Sequence, residues 1–256
     1  MNTLERIDLS DQGLQRPEIA GKKEKGGVIA SDTESGGLFA GRHALLSIGA
    51  CCSWSRETFL AYITAESQWG KTIEPEAVRV NGYSEERWAE RGARPYGEVI
   101  KAFGDWLAER KKERPGAVHV CHNLAHDLSF YREAERICGL EIWHRYGWAC
   151  SQLLFADLIR EGVIQASSIS LNTLAALSQW PFHRNQFHDA LEDAQICLHG
   201  YHWLKKMEKQ RLLRAEALLC QLAEWWREQD FDAERKARLN AAVFDVSNLV
   251  NAGTEA

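Results

Sequence analysis

Residues 28 to 38 read VIASDTESGGL, an apolar stretch that carries two carboxylates, Asp32 and Glu34, into a pair of glycines. Side chains alternate faces along a strand, so acids two residues apart project the same way. Two like charges at that spacing raise each other's pKa unless a cation lies between them. Gly36 and Gly37 permit a tight turn and the close approach of another backbone, such as that of a nucleotide. Alone, the pattern describes an exposed turn equally well. Two later segments carry similar potential. In HVCHNLAHDLSF, Asn123 ends an apolar strand and Asp127 falls one turn into a helix, where a helix N-cap and a first-turn acid would look the same. In FHDALEDAQICL, Asp193 shares a helix with Ala190, Ala194 and Cys197, on a face where an unpaired charge is costly. His188 stands at the start of that helix, as a base or as a capping residue.

Taken together and in order, DTESGGL, HNLAHD and HDALEDA resemble the DEDDh branch of the DEDD 3′→5′ exonuclease superfamily. These are DnaQ-like enzymes with a ribonuclease-H-like fold, among them polymerase proofreading exonucleases, ribonuclease T and oligoribonuclease. The branch shows an Asp-x-Glu at the end of a first strand, a His-Asn-x-x-x-Asp at a strand-to-helix junction, and a His-x-x-x-x-Asp opening a late helix. The resemblance spans residues 27 to 205, and VRVNGYSEERW and SLNTLAALSQW are similar to the family's connecting segments. Ser35 and Gly36 stand where many members have two threonines, and His126 stands where an aromatic residue precedes the second aspartate. Neither departure removes an acid. The sister branch carries tyrosine at the position of Asp189, which leaves His188 as the base.

The resemblance implies a metal-dependent hydrolase that cuts phosphodiesters at 3′ ends and releases nucleoside 5′-monophosphates. Asp32, Glu34, Asp127 and Asp193 would supply hard oxygen ligands suited to Mg²⁺ or Mn²⁺. Two divalent ions neutralise four carboxylates and admit a phosphodiester. At a separation of about 3.5 to 4 Å they stabilise the attacking and departing oxygens of an in-line displacement. His188 would take the proton of the attacking water, and an imidazole with an unperturbed pKa of about 6.5 implies a rate that falls below about pH 6 to 6.5. The backbone of Thr33 and the side chain of Leu38 would hold the terminal nucleotide, with Asn123 in support. Single-stranded ends fit best, because a terminal base must be unstacked to reach the metals. DNA is favoured over RNA, since the segment around Asn81 and Gly82 is closer to the proofreading type. A different class is a nucleic-acid-binding or polymerase-associated module with a vestigial site and a Trp-rich C-terminal helix as its working surface. Such a relative is expected to have lost one of the four acids or the histidine, and all five are present.

A sheet and its covering helices must bring these segments together. GGVIAS, HALLSIGACCSW and TFLAYIT read as an antiparallel meander of three strands. Short helices are expected over EPEAVRVNG and SEERWAERG. A longer amphipathic helix follows over PYGEVIKAFGDWLAERKKE, with Val99, Ile100, Phe103, Trp106 and Leu107 on one face and Pro95 near its start. GAVHVCHN reads as a buried strand, and helices are expected over 124–138, 149–161, 170–179 and 189–228. The fold class is therefore α/β: a ribonuclease-H-like mixed central sheet, an antiparallel meander plus a parallel strand, flanked by helices. Residues 1–26 are expected to be a mobile arm, 27–206 the exonuclease domain and 207–256 a helical extension and tail. Leu212, Leu213, Leu218, Leu219, Leu222, Trp225 and Trp226 make that extension apolar enough to need a surface, in this chain, a second copy or a polymerase.

Composition agrees. A chain of 256 residues that is 45% hydrophobic buries one substantial core. A net charge of −5 argues against a protein that coats nucleic acid nonspecifically. The basic runs within 110–114 and 205–214 read as solvated helix faces. Seven cysteines, an odd number with no Cys-x-x-Cys pair, read as buried reduced thiols and hence a cytoplasmic protein. No apolar run has signal-peptide or membrane-span length, so a soluble protein without a membrane partner is expected.

Overall fold

The computed structural model describes residues 27–140, 147–181 and 187–228, with the isolated helical positions 238 and 241. The expected arm over 1–26 lies outside the described residues, as does the tail beyond 228 apart from those two positions.

Strands β1 (Val28–Ser35), β2 (Leu45–Cys52) and β3 (Thr58–Tyr62) form the antiparallel meander, and β4 (Val118–Cys121) pairs parallel with the free side of β1. A fifth strand, β5 (Gly147–Cys150), pairs parallel with β4 and completes the order β3-β2-β1-β4-β5. The sequence reading starts a helix at 149 and misses β5. Four residues, GWAC, abut α5 (Ser151–Arg160) without a turn signal, and only the ladder to β4 marks them as a strand. The other helices are α1 (Pro75–Asn81), α2 (Glu85–Glu90), α3 (Tyr96–Glu113), α4 (Leu124–Cys138), α6 (Leu171–Leu177) and α7 (Ala190–Glu228). Among the described residues no helix is long and apolar enough to cross a membrane.

Helices cover both faces of the sheet, as a strand buried on each side requires. On one face Ile29 packs in a core with Val99, Ile100, Phe103 and Leu107 of α3 and with Phe130 and Tyr131 of α4. On the other, Ala30 and Val120 pack with Phe155 of α5, Leu174 of α6, and Ala194, Cys197 and Leu204 of α7. The alternation of β1 therefore assigns its odd residues to α4 and its even residues, Asp32 and Glu34 among them, to α7. Ser31 follows that rule: its hydroxyl accepts from the Tyr131 phenol at 2.8 Å and lies 2.6 Å from His119 Nε2. Burial pushes the His119 imidazole down to about 3, so it sits in the sheet uncharged.

The glycines after β1 allow close approach by the protein itself: a Cβ on Gly36 would lie 2.6 Å from the Thr72 carbonyl, and one on Gly37 2.7 Å from the His43 ring, while Gly37 also lines the candidate cavity. The loop before α1 is thereby tied to the end of β1, with Gly36 N–H donating to Ala44 O and Glu74 N–H to Gly36 O, each at 2.7 Å. The seven cysteines are all free thiols; Cys51, Cys52, Cys121 and Cys197 are buried, whereas Cys138, Cys150 and Cys220 are partly exposed on element ends and the outer part of α7. Burial thus holds for four of the seven.

Gly49 of β2 stands opposite Asp32 in the ladder. A Cβ there would lie 2.2 Å from both the Ala190 carbonyl carbon and the Leu191 nitrogen, so the first turn of α7 rests directly on the sheet backbone. Gly49→Ala should force α7 off the sheet at a cost of about 3 kcal/mol, lowering the melting temperature by about 6–12 °C for a chain of this size. A thermal melt followed by circular dichroism checks this.

Candidate functional site

Asp32 and Glu34 leave β1 on the face that α7 covers, and Asp193 comes from the first turn of α7 to meet them. Ligand atoms of Glu34, His188 and Asp193 lie within 4.8 Å of one another. Asp32, Glu34, His188 and Asp193 line a single cavity of about 600 Å³, and Thr33, Leu38 and Asn123 line it too. Glu74 and Glu76 add two more acids to its wall, and among the described residues no lysine or arginine lines it. Three of the four expected acids thus open onto one chamber beside an imidazole.

The start of α7 is held in place by Asp189. Its Oδ1 accepts from the Leu191 and Glu192 N–H groups at 3.1 and 3.2 Å, a side-chain cap of the kind that satisfies the free donors of a first turn. Its Oδ2 accepts from the Tyr62 hydroxyl at 3.0 Å and from Arg91 at 3.3 Å. The cap is therefore Asp189 and not His188. His188 is instead fixed by its backbone N–H, which donates to Val80 O at 3.1 Å. Its exposed ring places Nδ1 3.3 Å from Asp193 Oδ2.

Asp127, the fourth expected ligand, is held differently from the other three. It comes from α4, on the opposite side of the sheet, and so meets the odd residue Thr33. Asp127 Oδ1 accepts from Thr33 N–H at 3.0 Å and from Thr33 Oγ1 at 2.8 Å. The side chain is only 2% exposed and is absent from the cavity wall. Burial pushes its carboxyl up to about 7, with the charge of Asp193 adding to the rise and the Thr33 hydrogen bonds opposing it. Asp127 still belongs to the same charge cluster through Asp193. Asn123 occupies the N-cap position of α4 without a capping hydrogen bond from its side chain, and it lines the cavity instead.

Several further wall residues lie in or beside the sequence motifs, which assign them no part in the site. His122 Nε2–H donates to Ile169 O at 2.9 Å, which leaves Nδ1 to accept from Ser151 Oγ at 2.9 Å. His126 Nε2 lies 3.4 Å from Ser35 Oγ, and Ser35 Oγ donates to Gly37 O at 2.8 Å. Buried Asn81 donates from Nδ2 to Ser35 O at 3.1 Å, tying the end of α1 to the end of β1. The thiols of Cys121 and Cys197 lie under the cluster. Burial pushes both well above the ordinary thiol range, and the charges of Asp32 and Asp127 push in the same direction.

The donor set suits a hard divalent cation. Carboxylates gathered around one chamber repel one another, and Asp127 beside them holds its proton more tightly than a free carboxyl does. Bound positive charge would reverse both effects.

No family model matches the chain. It is 30% identical over 103 residues to the 3′-5′ DNA exonuclease Cap18 of Escherichia coli, a stretch covering 40% of this chain and 53% of that protein. Among solved structures, E. coli Exonuclease I bound to a dT13 oligonucleotide superposes with a TM-score of 0.61 at 14% identity, over 75% of this chain and 43% of that one. A zinc-ion-bound E. coli Exonuclease I–ssDNA complex gives 0.55 at 13% identity, over 77% and 43%. Cell-death related nuclease 4 gives 0.56 at 14% identity, over 71% and 64%. The chain thus spans about half the length of the curated relative it matches, and under two thirds of these structures. With the mixed sheet described above, these likenesses show that the chain shares the ribonuclease-H-like fold of the exonuclease structures.

The Asp127 environment has a consequence for stability. Its folded carboxyl holds a proton to about pH 7, whereas the unfolded chain releases it near the ordinary value of about 3.9. The folded state therefore binds more protons between those limits, and this residue's contribution to metal-free stability falls as pH rises through them. Asp127→Asn keeps an oxygen for Thr33 and removes the charge. Melts in a chelator at pH 8 should show Asp127→Asn about 4–8 °C above the parent, the gap closing towards pH 4.

Proposed function

We propose that the chain is a divalent-metal-dependent 3′→5′ exonuclease that removes nucleoside 5′-monophosphates from the 3′ ends of single-stranded DNA. The observation that carries this reading is the convergence of Asp32, Glu34, Asp193 and His188 on one cavity. Asp32, Glu34 and Asp193, with Asp127 behind Thr33, are the residues that would hold Mg²⁺ or Mn²⁺. Such ions supply charge stabilisation at the phosphoryl oxygens and lower the pKa of water.

His188 acts as the general base. With Nδ1–H donating to the Asp193 carboxylate at 3.3 Å, Nε2 keeps a lone pair for the proton of water. Thr33 and Asn123 on the wall and Leu38 on the rim hold the terminal nucleotide. Leu38 is 72% exposed, and a base laid over it would cover that apolar surface. DNA is preferred to RNA because the matched E. coli relative is a 3′-5′ DNA exonuclease and the Exonuclease I structures hold deoxyoligonucleotides.

We also assign the catalytic domain to residues 27–206 and a partner surface to the far end of α7. Leu213, Leu218, Leu222 and Trp225 stay exposed there, which supports self-association or a polymerase contact. Under the self-association reading, light scattering should give a multiple of the protomer mass for the full-length protein and a single protomer mass for a chain ending at 206.

For the catalytic reading, 5′-labelled single strands of DNA and RNA are incubated with Mg²⁺. A ladder should shorten from the 3′ end, faster on DNA, with nucleoside 5′-monophosphate as product. Chelator and Asp32→Ala should abolish it, and His188→Ala should slow it about 10²- to 10⁴-fold. Binding without shortening in the wild type would identify a binding module with a vestigial site.

A further inference from the structure

The acidic chamber opens onto a groove of opposite charge. A second cavity of about 730 Å³ shares Leu38, Asn123 and His126 with the chamber, so the two are continuous. Its floor is one stripe of α4, with Ala125, Ser129, Arg132 and Arg136 at helical spacing. Its rim is Phe39, 66% exposed. A third cavity of about 400 Å³ continues from it through Gly41, Glu133 and Arg136, and ends at Lys71 and Trp69. The Trp69 side chain is 98% exposed.

Two features set this path apart from ordinary surface. First, charge is segregated along it. The chamber is walled by Asp32, Glu34, Glu74, Glu76 and Asp193, whereas the path beyond carries Lys71, Arg132 and Arg136 against the single acid Glu133. Glu133 is bound by Lys71 at 2.7 Å and by Arg136 at 2.8 Å, so the path remains net positive. Second, its large apolar side chains, Leu38, Phe39 and Trp69, stand outward instead of packing inward. A lone exposed aromatic is commonplace. Aromatics alternating with cations along one groove are what a flexible polyanion with flat bases requires, since each base can stack and each phosphate can be neutralised.

We propose that this path is the approach track of the substrate strand. It rests on the exonuclease reading of the chamber and extends it outward. The terminal nucleotide enters past Leu38, the nucleotides on its 5′ side stack on Phe39 and then Trp69, and their phosphates lie against Arg132 and Arg136. The enzyme therefore grips several nucleotides upstream of the bond it cuts, and its affinity grows with strand length until Trp69 is reached.

The test compares wild type with Phe39→Ala, Arg132→Ala and Trp69→Ala. Hydrolysis of the p-nitrophenyl ester of thymidine 5′-monophosphate reports on the chamber alone, and a dinucleotide and a decanucleotide of deoxythymidine report on the track. Binding of the labelled decanucleotide is read separately by fluorescence anisotropy in an Asp32→Ala background. Trp69→Ala should raise both KM and Kd for the decanucleotide about tenfold, with kcat, ester hydrolysis and dinucleotide hydrolysis unchanged. Arg132→Ala should reduce the salt slope of decanucleotide binding by about one. If Trp69→Ala and Arg132→Ala bind and cut the decanucleotide as the parent does, or if they slow the ester equally, the track is wrong. Wild type that cleaves neither ester nor strand, yet loses decanucleotide binding on Trp69→Ala, would overturn the exonuclease reading and uphold the track.

Discussion

The contact of a helix backbone with a sheet backbone at Gly49 is the constraint on which the site depends. Asp32 and Gly49 are cross-strand partners, so the place where β2 lacks a side chain lies beside the place where β1 presents its first acid. α7 can begin there and nowhere nearer, and its first turn carries Asp193 into the space between helix and strand. Asp189 completes the arrangement by capping the turn and binding Tyr62 and Arg91. The partial positive charge of the helix N-terminus also points towards the carboxylates and eases their crowding.

Crowding is nevertheless substantial, and it is distributed unequally. Asp32, Glu34 and Asp193 share a cavity, while Asp127 is withdrawn behind Thr33 and has its proton affinity raised by burial. Both results follow from the alternation of β1 between two helical layers. Even residues meet α7 and its acid, and odd residues meet α4 and its acid. The fourth carboxylate thus has a different hydrogen-bonding environment while still feeling the charge of Asp193.

Much of this was legible in the sequence because it depends on local periodicity. The two-residue repeat of β1 puts Asp32 and Glu34 on one face, and the apolar pattern of Ala190, Ala194 and Cys197 seats Asp193 against the core. The meander, β4 and the helices follow from similar patterns. What was illegible depends on pairing across the fold. β5 is a strand only because β4 lies beside it. The pairing of Asp127 with Thr33 requires knowing which helix covers which face. Nothing near Gly36 and Gly37 in the sequence shows that Thr72 and His43 will pack against them. Likewise, Phe39, Trp69 and Arg132 come from three separate segments whose adjacency no spacing rule reveals.

The thiols beneath the carboxylates carry a chemical implication of their own. Thiolate is the form that attacks peroxides and captures soft metal ions, and Cys121 and Cys197 are kept from becoming thiolate by burial and by the neighbouring negative charges. Burial first, and the acids of the cluster after it, therefore keep the sulfur below the chamber protonated. Thiolate chemistry is thereby disfavoured beneath the chamber, whose wall offers carboxylates and the imidazoles of His122, His126 and His188.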